Sequence, residues 1–301
     1  MRSDRPALTP WALMLVLAVI WGSSFILIKR GLYIEGEPVL NPWQLATGRL
    51  SIAWLCLAPA LFRHAHLLRK HWLPLLGSGL LGNGIPAVLF ATGQTRIDSS
   101  LSGMLNGLTP LMTLLAGAAF FGTRMRSVHL VGILLGLAGA TGLILLKESD
   151  GLPAWSIYAL LPILGAVCYG FSGNIVKHHL YGLPPMAISV LALTWVGPLS
   201  IVLALNSGLP EVLREHPQGL FAFGHVVVLA VMSSALALVL WNRLLKMTTA
   251  LWASSVTYLM PLVAVGWGMA DGEGFTWGMA GMAALVLAAI YLVNAGEKAE
   301  G

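Results

Sequence analysis

Residues 11–29 read WALMLVLAVIWGSSFILIK: apolar and small side chains run without a charge until Lys29 closes the stretch. A helix rises 1.5 Å per residue, so a run of this length approaches the thickness of a bilayer's hydrocarbon core, which takes about 20 apolar residues. The same signature recurs downstream. The predicted spans are 11–28, 43–62, 73–93, 99–121, 128–146, 155–176, 186–205, 221–242, 249–270 and 275–293. The chain is 57% hydrophobic and 10% charged, where a soluble domain carries about 25% charged residues. That leaves too little polar surface to coat a water-facing body, so the coat is lipid. Hydrocarbon requires every backbone amide to be paired within the protein, and runs this long meet that demand as helices. The predicted fold class is therefore all-α: a polytopic membrane protein with ten transmembrane helices.

The gaps carry the charges. With the N-terminus in the cytoplasm, the cytoplasmic segments hold Arg2, Arg5, Arg63, Arg69, Lys70, Arg124, Arg126, Lys177, Arg243, Lys246 and Lys298. The opposite face holds Lys29, Arg30, Arg96, Lys147 and Arg214. Glu35, Glu37, Asp98, Glu148, Asp150, Glu211, Glu215, Asp271 and Glu273 also fall on that opposite face. This is the positive-inside bias, and it predicts an inner (plasma) membrane protein of bacterial type with both termini cytoplasmic. It also accounts for the net charge of +5 without invoking nucleic acid. Arg2 and Arg5 before an apolar run resemble a signal peptide, but the run continues to Ile28 with no small-residue cleavage site, so it reads as a retained first helix. Cys56 and Cys168 both lie in apolar runs and form no metal or disulfide pattern.

The two halves resemble each other. Trp21-Gly22-Ser23-Ser24 with Lys29 is matched by Tyr169-Gly170-Phe171-Ser172 with Lys177, an aromatic-Gly-x-Ser-x4-Lys pattern repeated after 148 residues (177 minus 29). Pro110 near the centre of helix four pairs with Pro261 in helix nine, and Gly122 pairs with Gly272. Residues 1–148 are expected to form one five-helix repeat and residues 149–301 a second, with a short cytoplasmic tail. Five is odd, so the second copy enters the membrane upside down. Lys29 on one face and Lys177 on the other agree with two inverted five-helix repeats, an architecture common in secondary transporters.

These residues carry a family resemblance. Trp21-Gly22-Ser23-Ser24-Phe25 with Lys29, Pro42 and Arg49 in helix two, the mid-helix Pro110 and Pro261, and Gly272-Glu273 together resemble the EamA-type branch of the drug/metabolite transporter superfamily. The resemblance spans nearly the whole chain. It implies a ten-helix basket around a central cavity and efflux of amino acids, small metabolites or drugs across the inner membrane by alternating access. One departure is visible. Members often carry a carboxylate after the Gly that follows helix four; this chain has Thr123 there and keeps the acid only as Glu273.

Several residues suit a solute site. Proline inside a helix frees the carbonyl four residues earlier, here those of Asn106 and Thr257, so Pro110 and Pro261 are the expected kinks or hinges. Arg49 is the one full charge well inside a span. Two roles are open to it: an anion partner or gate, or a structural tie to helix-end carbonyls, Glu35 or Glu37. Ser24, Gln94, Asn106, Asn174, Asn242, Ser254 and Ser255 are candidate polar contacts, and Trp21, Tyr169, Trp241 and Tyr258 candidate aromatic walls. Trp11, Trp43, Trp72, Trp155, Trp252 and Trp277 near span ends read as an interfacial belt. Gly132-x3-Gly136 and Gly274-x3-Gly278 read as close helix packing.

No Asp or Glu lies at mid-span, which favours a facilitator or exchanger at least as much as a proton antiporter, and no P-loop is present for ATP. No catalytic group, metal site or cofactor is expected. The expected partners are a small-molecule substrate and the lipid bilayer, with no nucleic acid and no obligate protein partner. The rival readings are an intramembrane enzyme acting on lipid and an uncoupled channel or facilitator. Asp271 and Glu273 are the paired acids the enzyme would need, but no histidine partner accompanies them.

Overall fold

The computed structural model describes residues 8–124, 127–148 and 157–298. Arg2, Arg5, Arg126, Asp150 and Trp155 lie outside the described residues, as do the side chains of Lys147, Glu148, Ser255 and Lys298. Eight helical stretches are long and apolar enough to cross a membrane. They are α1 (Thr9–Leu32), α2 (Pro42–Leu67), α3 (Trp72–Gly93), α4 (Ser99–Phe120), α6 (Ile157–His179), α7 (Pro185–Leu205), α8 (Gly219–Met247) and α9 (Ala250–Ala270). Two more helices, α5 (Ser127–Glu148) and α10 (Trp277–Lys298), carry shorter apolar segments, Ser127–Leu143 and Trp277–Ala289. The ten expected spans thus correspond to eight full-length candidates and two helices with shorter apolar stretches. A two-strand hairpin was not foreseen: β1 (Tyr33–Ile34) pairs antiparallel with β2 (Glu37–Pro38) after α1. Glu35 and Gly36 both have positive φ, as a two-residue hairpin turn requires.

Starts and breaks follow local chemistry. Asn41 opens α2 with a reciprocal capping box, accepting from the Gln44 amide while the Gln44 side chain accepts from the Asn41 amide. Thr47 and Ser51 then bond back to carbonyls four residues earlier, satisfying their hydroxyls inside lipid. Six spans are broken, α7 among them, where Pro185–Thr194 and Gly197–Leu205 are separated at residues 195 and 196. In α1 a turn falls at Ser23. In α4 the break follows Asn106, and Pro110 sits in the first turn of the resumed helix Thr109–Phe120. In α9 a 3₁₀ turn at Ser255–Tyr258 precedes Met260–Ala270, with Pro261 in the same first-turn place. In α3 and α8 the helix widens to π geometry at Leu80–Gly84 and Leu229–Leu236.

The packing pattern has a regularity. α1 packs on α8 and α9; α6 packs on α3 and α4. α2 meets α8, and α7 meets α3. α2 meets α7, α4 meets α9, and α5 lies along α10. Adding five to each helix number returns the same set of neighbours. The conserved-looking glycines of the repeated pattern sit at equivalent crossings. A Cβ on Gly22 would come within 2.6 Å of Val263 in α9, and one on Gly170 within 2.7 Å of the Met112 backbone in α4. The α5–α10 pair is glycine-lined too: a Cβ on Gly139 or Gly142 would run into Val286 or Met282. Of the Gly132-x3-Gly136 spacing, Gly136 packs within the chain, since a Cβ there would run into Leu111 of α4 and sit 3.6 Å from Ala289 of α10. Trp11, Trp43, Trp72 and Trp277 are exposed on the outside, as belt residues are, while Trp252 is half-buried against Trp11.

Overpacking a tight crossing costs about 1–3 kcal/mol. Gly170→Val should therefore lower the melting temperature of the detergent-solubilised protein clearly, whereas Gly266→Val in α9, where nothing lies within 4 Å, should leave it unchanged. Equal melting of the two variants would mean that the α4–α6 crossing is looser than described.

Candidate functional site

Five of the six broken helices, all but α7, meet at one place. A cavity of about 100 Å³ lies between the halves, with walls drawn from α1, α2, α3, α4, α6, α8 and α9. The breaks face it: Gly82 and Asn83 from the π segment of α3, Ser233 from that of α8, Asn106 and Thr109 from α4, and Ser254, Val256 and Thr257 from α9. Irregular backbone at membrane depth persists where it lines a cavity or is buried in protein, and here it does both.

Of the residues singled out in the sequence, Trp21, Ser24, Arg49, Asn106, Tyr169, Trp241 and Ser254 line this cavity. Trp21 donates its indole N–H to the Ser233 carbonyl at 3.0 Å and packs edge-on against Trp241 at 5.4 Å between centroids. The Ser24 and Ser233 hydroxyls are 2.7 Å apart. Phe90 stands between Phe25 and Tyr169, making an edge contact with the first and a stack with the second. Asn106 reaches across to Met260 Sδ, and its carbonyl accepts from Thr109 Oγ1 at 2.7 Å. The carbonyl that Pro110 cannot satisfy is thus taken by a hydroxyl one turn on.

Three of the expected residues lie elsewhere. Asn174 faces α4 and donates to the carbonyls of Thr113 and Gly170, so it ties α6 to α4. Gln94 is buried at the end of α3 beside Ser102. Tyr258 packs half-buried against the cluster that holds α5 and α10. Sequence reading fixes that a residue is in a helix but not which way it faces, and these three face neighbouring helices. Asn242 lines the cavity and donates to Ser189 Oγ at 2.9 Å. Thr257 and Ser172, noted for the Pro261 break and the repeated pattern, also line it, and Asn83, Ser78, Thr109, Thr113 and Ser233 do so without having been picked out. Those on π or 3₁₀ turns carry no residue type that marks the turn; a polar side chain in an apolar run was the only available signal.

Arg49 makes one side-chain hydrogen bond among the described residues, from Nε to Ser234 Oγ at 2.5 Å. Neither Glu35 nor Glu37 is its partner; both are exposed in the hairpin, and no ion pair to Arg49 is present among the described residues. The structural tie to those acids is therefore replaced by a tie to the π segment of α8.

Above the cavity, on the Lys29 side, lies a charged lock. Lys29 Nζ meets Asp271 at 2.7 Å and Glu273 at 2.9 Å, and Arg30 meets Asp271 at 2.6 Å. Glu273 also accepts from the Ser99 amide, the Ser99 hydroxyl and the Ser100 amide, so its carboxylate caps the N-terminus of α4. Gly272, at φ 83°, turns the chain so that Glu273 folds back over Gly268, where a Cβ would sit 2.5 Å from the carboxylate. The other end repeats the turn without the charge. Gly122 has φ 73°, and Thr123 folds back over Gly117. There Lys177 donates to the carbonyls of Leu245 and Thr248 instead.

Burial alone would raise the pKa of Glu273, whose side chain is 3% exposed. Donors from Ser100 and Ser99, together with the Lys29 ammonium, outweigh it and hold the group down at about 2. Asp271 is likewise burdened by burial but pulled below the usual carboxylate range by Lys29 and Arg30. A depressed carboxyl stabilises the folded state fully above its unfolded pKa and loses that contribution as pH falls through the folded value. For Glu273 the window runs from about pH 4.5 down to about 2, and the contribution is of the order of 3 kcal/mol.

The melting temperature of the wild type should accordingly be insensitive to Glu273 above about pH 5 and fall below about pH 4. Glu273→Gln should melt lower at neutral pH and lose most of that acid-dependent drop. An unaltered pH profile in Glu273→Gln would remove the carboxylate from the lock.

Comparison with known proteins places this arrangement. Residues 9–145 and 156–295 each match the model of the EamA-like transporter family. The "uncharacterized inner membrane transporter YedA" of Escherichia coli strain K12 is 28% identical over 273 residues, covering 87% of this chain and 82% of that protein. A "probable terminal-alkyne amino-acid exporter" of Streptantibioticus cattleyicolor is 25% identical over 260 residues, covering 85% and 82%. One solved crystal structure superposes with a TM-score of 0.60 at 18% identity, covering 94% of this chain and 95% of the other, so the fold is shared.

Proposed function

The chain belongs to the EamA-like transporter family and is a polytopic membrane transporter; on that premise we propose that it is a secondary transporter moving small solutes by alternating access between two inverted five-helix repeats, residues 1–148 and 149–301. The observation that carries the reading is the one-sided lock. A central cavity lies under a mouth closed by Lys29, Glu273 and the amino end of α4, while the equivalent mouth has Thr123 in place of the acid. A carrier needs two mouths that close in turn, and two copies of one unit supply them. The helix pairings that persist when five is added to each number support the repeat, as do the paired breaks in α3 and α8 and in α4 and α9.

The charge bias of the loops supports an orientation with Lys29 on the periplasmic side of a bacterial inner membrane and both termini in the cytoplasm. The ion-paired Lys29 mouth is then the outer one. Export of amino acids, small metabolites or drugs follows the relative named as an amino-acid exporter. Among the described residues the cavity wall has no Asp or Glu, and Glu273, held at about 2, stays ionised at every physiological pH. Exchange or facilitated flow therefore fits the site better than a carboxylate proton relay.

Counterflow in proteoliposomes separates this from a channel or a lipid-modifying enzyme. Unlabelled amino acid inside the vesicles should accelerate entry of the labelled one, and Asn106→Leu should cut the rate at least severalfold with normal insertion. Flux without trans-stimulation would show an uncoupled pore, and full flux in Asn106→Leu would remove Asn106 from the path.

A further inference from the structure

We infer that Arg49 is the group that reads solute charge, and that the cavity takes solutes bearing a carboxylate while turning away those with net positive charge. This rests on the transport reading above and specifies its substrate class. Among the described residues that line the cavity, Arg49 is the one formal charge, with no Asp, Glu, Lys or His beside it. Guanidinium does not deprotonate in proteins, so the cavity carries a positive charge in a low-dielectric surround. An unpaired charge there is unfavourable until an anion arrives, and a cationic solute makes it worse. Stabilisation from a bound anion is correspondingly large.

The geometry suits a carboxylate in particular. Of the guanidinium donors, Nε–H is committed to Ser234 Oγ at 2.5 Å, and no hydrogen bond from the two terminal nitrogens is formed with a described residue. Those nitrogens form one arm of the fork that binds planar two-oxygen anions. Ser234 lies in the π segment Leu229–Leu236, so the same break that opens α8 also holds the arginine by its Nε edge. The rest of the wall supplies an aromatic lining for the solute's body: Trp21 against Trp241, and Phe90 stacked on Tyr169. A second unfilled group lies in the wall. Asn242 uses Nδ2 on Ser189, and its Oδ1 has no hydrogen-bond partner, leaving an acceptor for a neutral or ammonium N–H on the solute. A carboxylate at Arg49 and an N–H donor elsewhere describe either an N-acyl amino acid or a free amino acid.

The test uses four matched probes on the purified full-length protein, read by quenching of tryptophan fluorescence and by thermal shift. They are N-acetyl-phenylalanine (anion), phenylalanine (zwitterion), N-acetyl-phenylalanine amide (neutral) and phenylalanine amide (cation). The anion and the zwitterion should bind, and the cation should not. Arg49→Gln should weaken the anion by about tenfold to a hundredfold and erase the preference for acid over amide. Arg49→Lys should keep a preference for the anion but bind it less tightly. Should Arg49→Gln fail to fold, Ser234→Ala provides a milder lesion that frees the Nε edge, with a severalfold loss for the anion expected. Binding of the cation as tightly as the anion, an anion affinity unchanged in Arg49→Gln or in Ser234→Ala, or no binding of any probe at millimolar concentration overturns the inference. Failure of the transport reading looks different: wild-type vesicles then show no trans-stimulated exchange of any solute, whatever its charge.

Discussion

No backbone amide can be left unpaired in hydrocarbon, and that constraint decides where this protein is allowed to be irregular. The turn in α1, the π segments of α3 and α8, and the interruptions of α4 and α9 gather around one cavity. Hydroxyls serve carbonyls at three of these breaks. Thr109 serves the Asn106 carbonyl, Thr257 serves that of Ser254, and Ser24 and Ser233 share the Ile20 carbonyl. The polar groups a solute needs and the polar groups the backbone needs are the same hydroxyls and amides. α5 and α10, which contribute nothing to the cavity wall, are continuous helices.

The lock and the cavity answer different requirements. Lys29, Arg30, Asp271 and Glu273 sit at the membrane edge, where ions can be partly hydrated and still pair across helices. They hold the last turn of α1, the start of α4 and the α9–α10 turn together without placing any acid in the solute's path. At the opposite end, where Thr123 stands in place of an acid, the Lys177 ammonium donates to two carbonyls and makes no ion pair among the described residues.

Much of this was legible in the sequence, for identifiable reasons. The aromatic-Gly-x-Ser-x4-Lys pattern is visible twice because Gly22 and Gly170 stand at equivalent helix crossings where no side chain fits. Pro110 and Pro261 mark their breaks because proline cannot sit unnoticed in a helix. Lys29 and Glu273 each stood out singly, but their pairing joins residues 244 apart and is a product of folding alone. The π turns left no trace, since any small or apolar residue tolerates them, and with them went Asn83, Ser233 and the anchor of Arg49. Gln94, Asn174 and Tyr258 were drawn into the site because a polar residue in a lipid-spanning run has two uses, solute contact and helix tie, and only the facing separates them.

The central claim is that the two mouths close in alternation around a fixed cavity. Spin labels at Arg96 and Gly274, across the Lys29 end, and at Arg124 and Thr249, across the Lys177 end, report both mouths through exposed positions. Distances measured in proteoliposomes with and without a transported solute should change in opposite senses: the first pair lengthens as the second shortens. Both pairs lengthening together, or neither moving while solute exchanges, would contradict it.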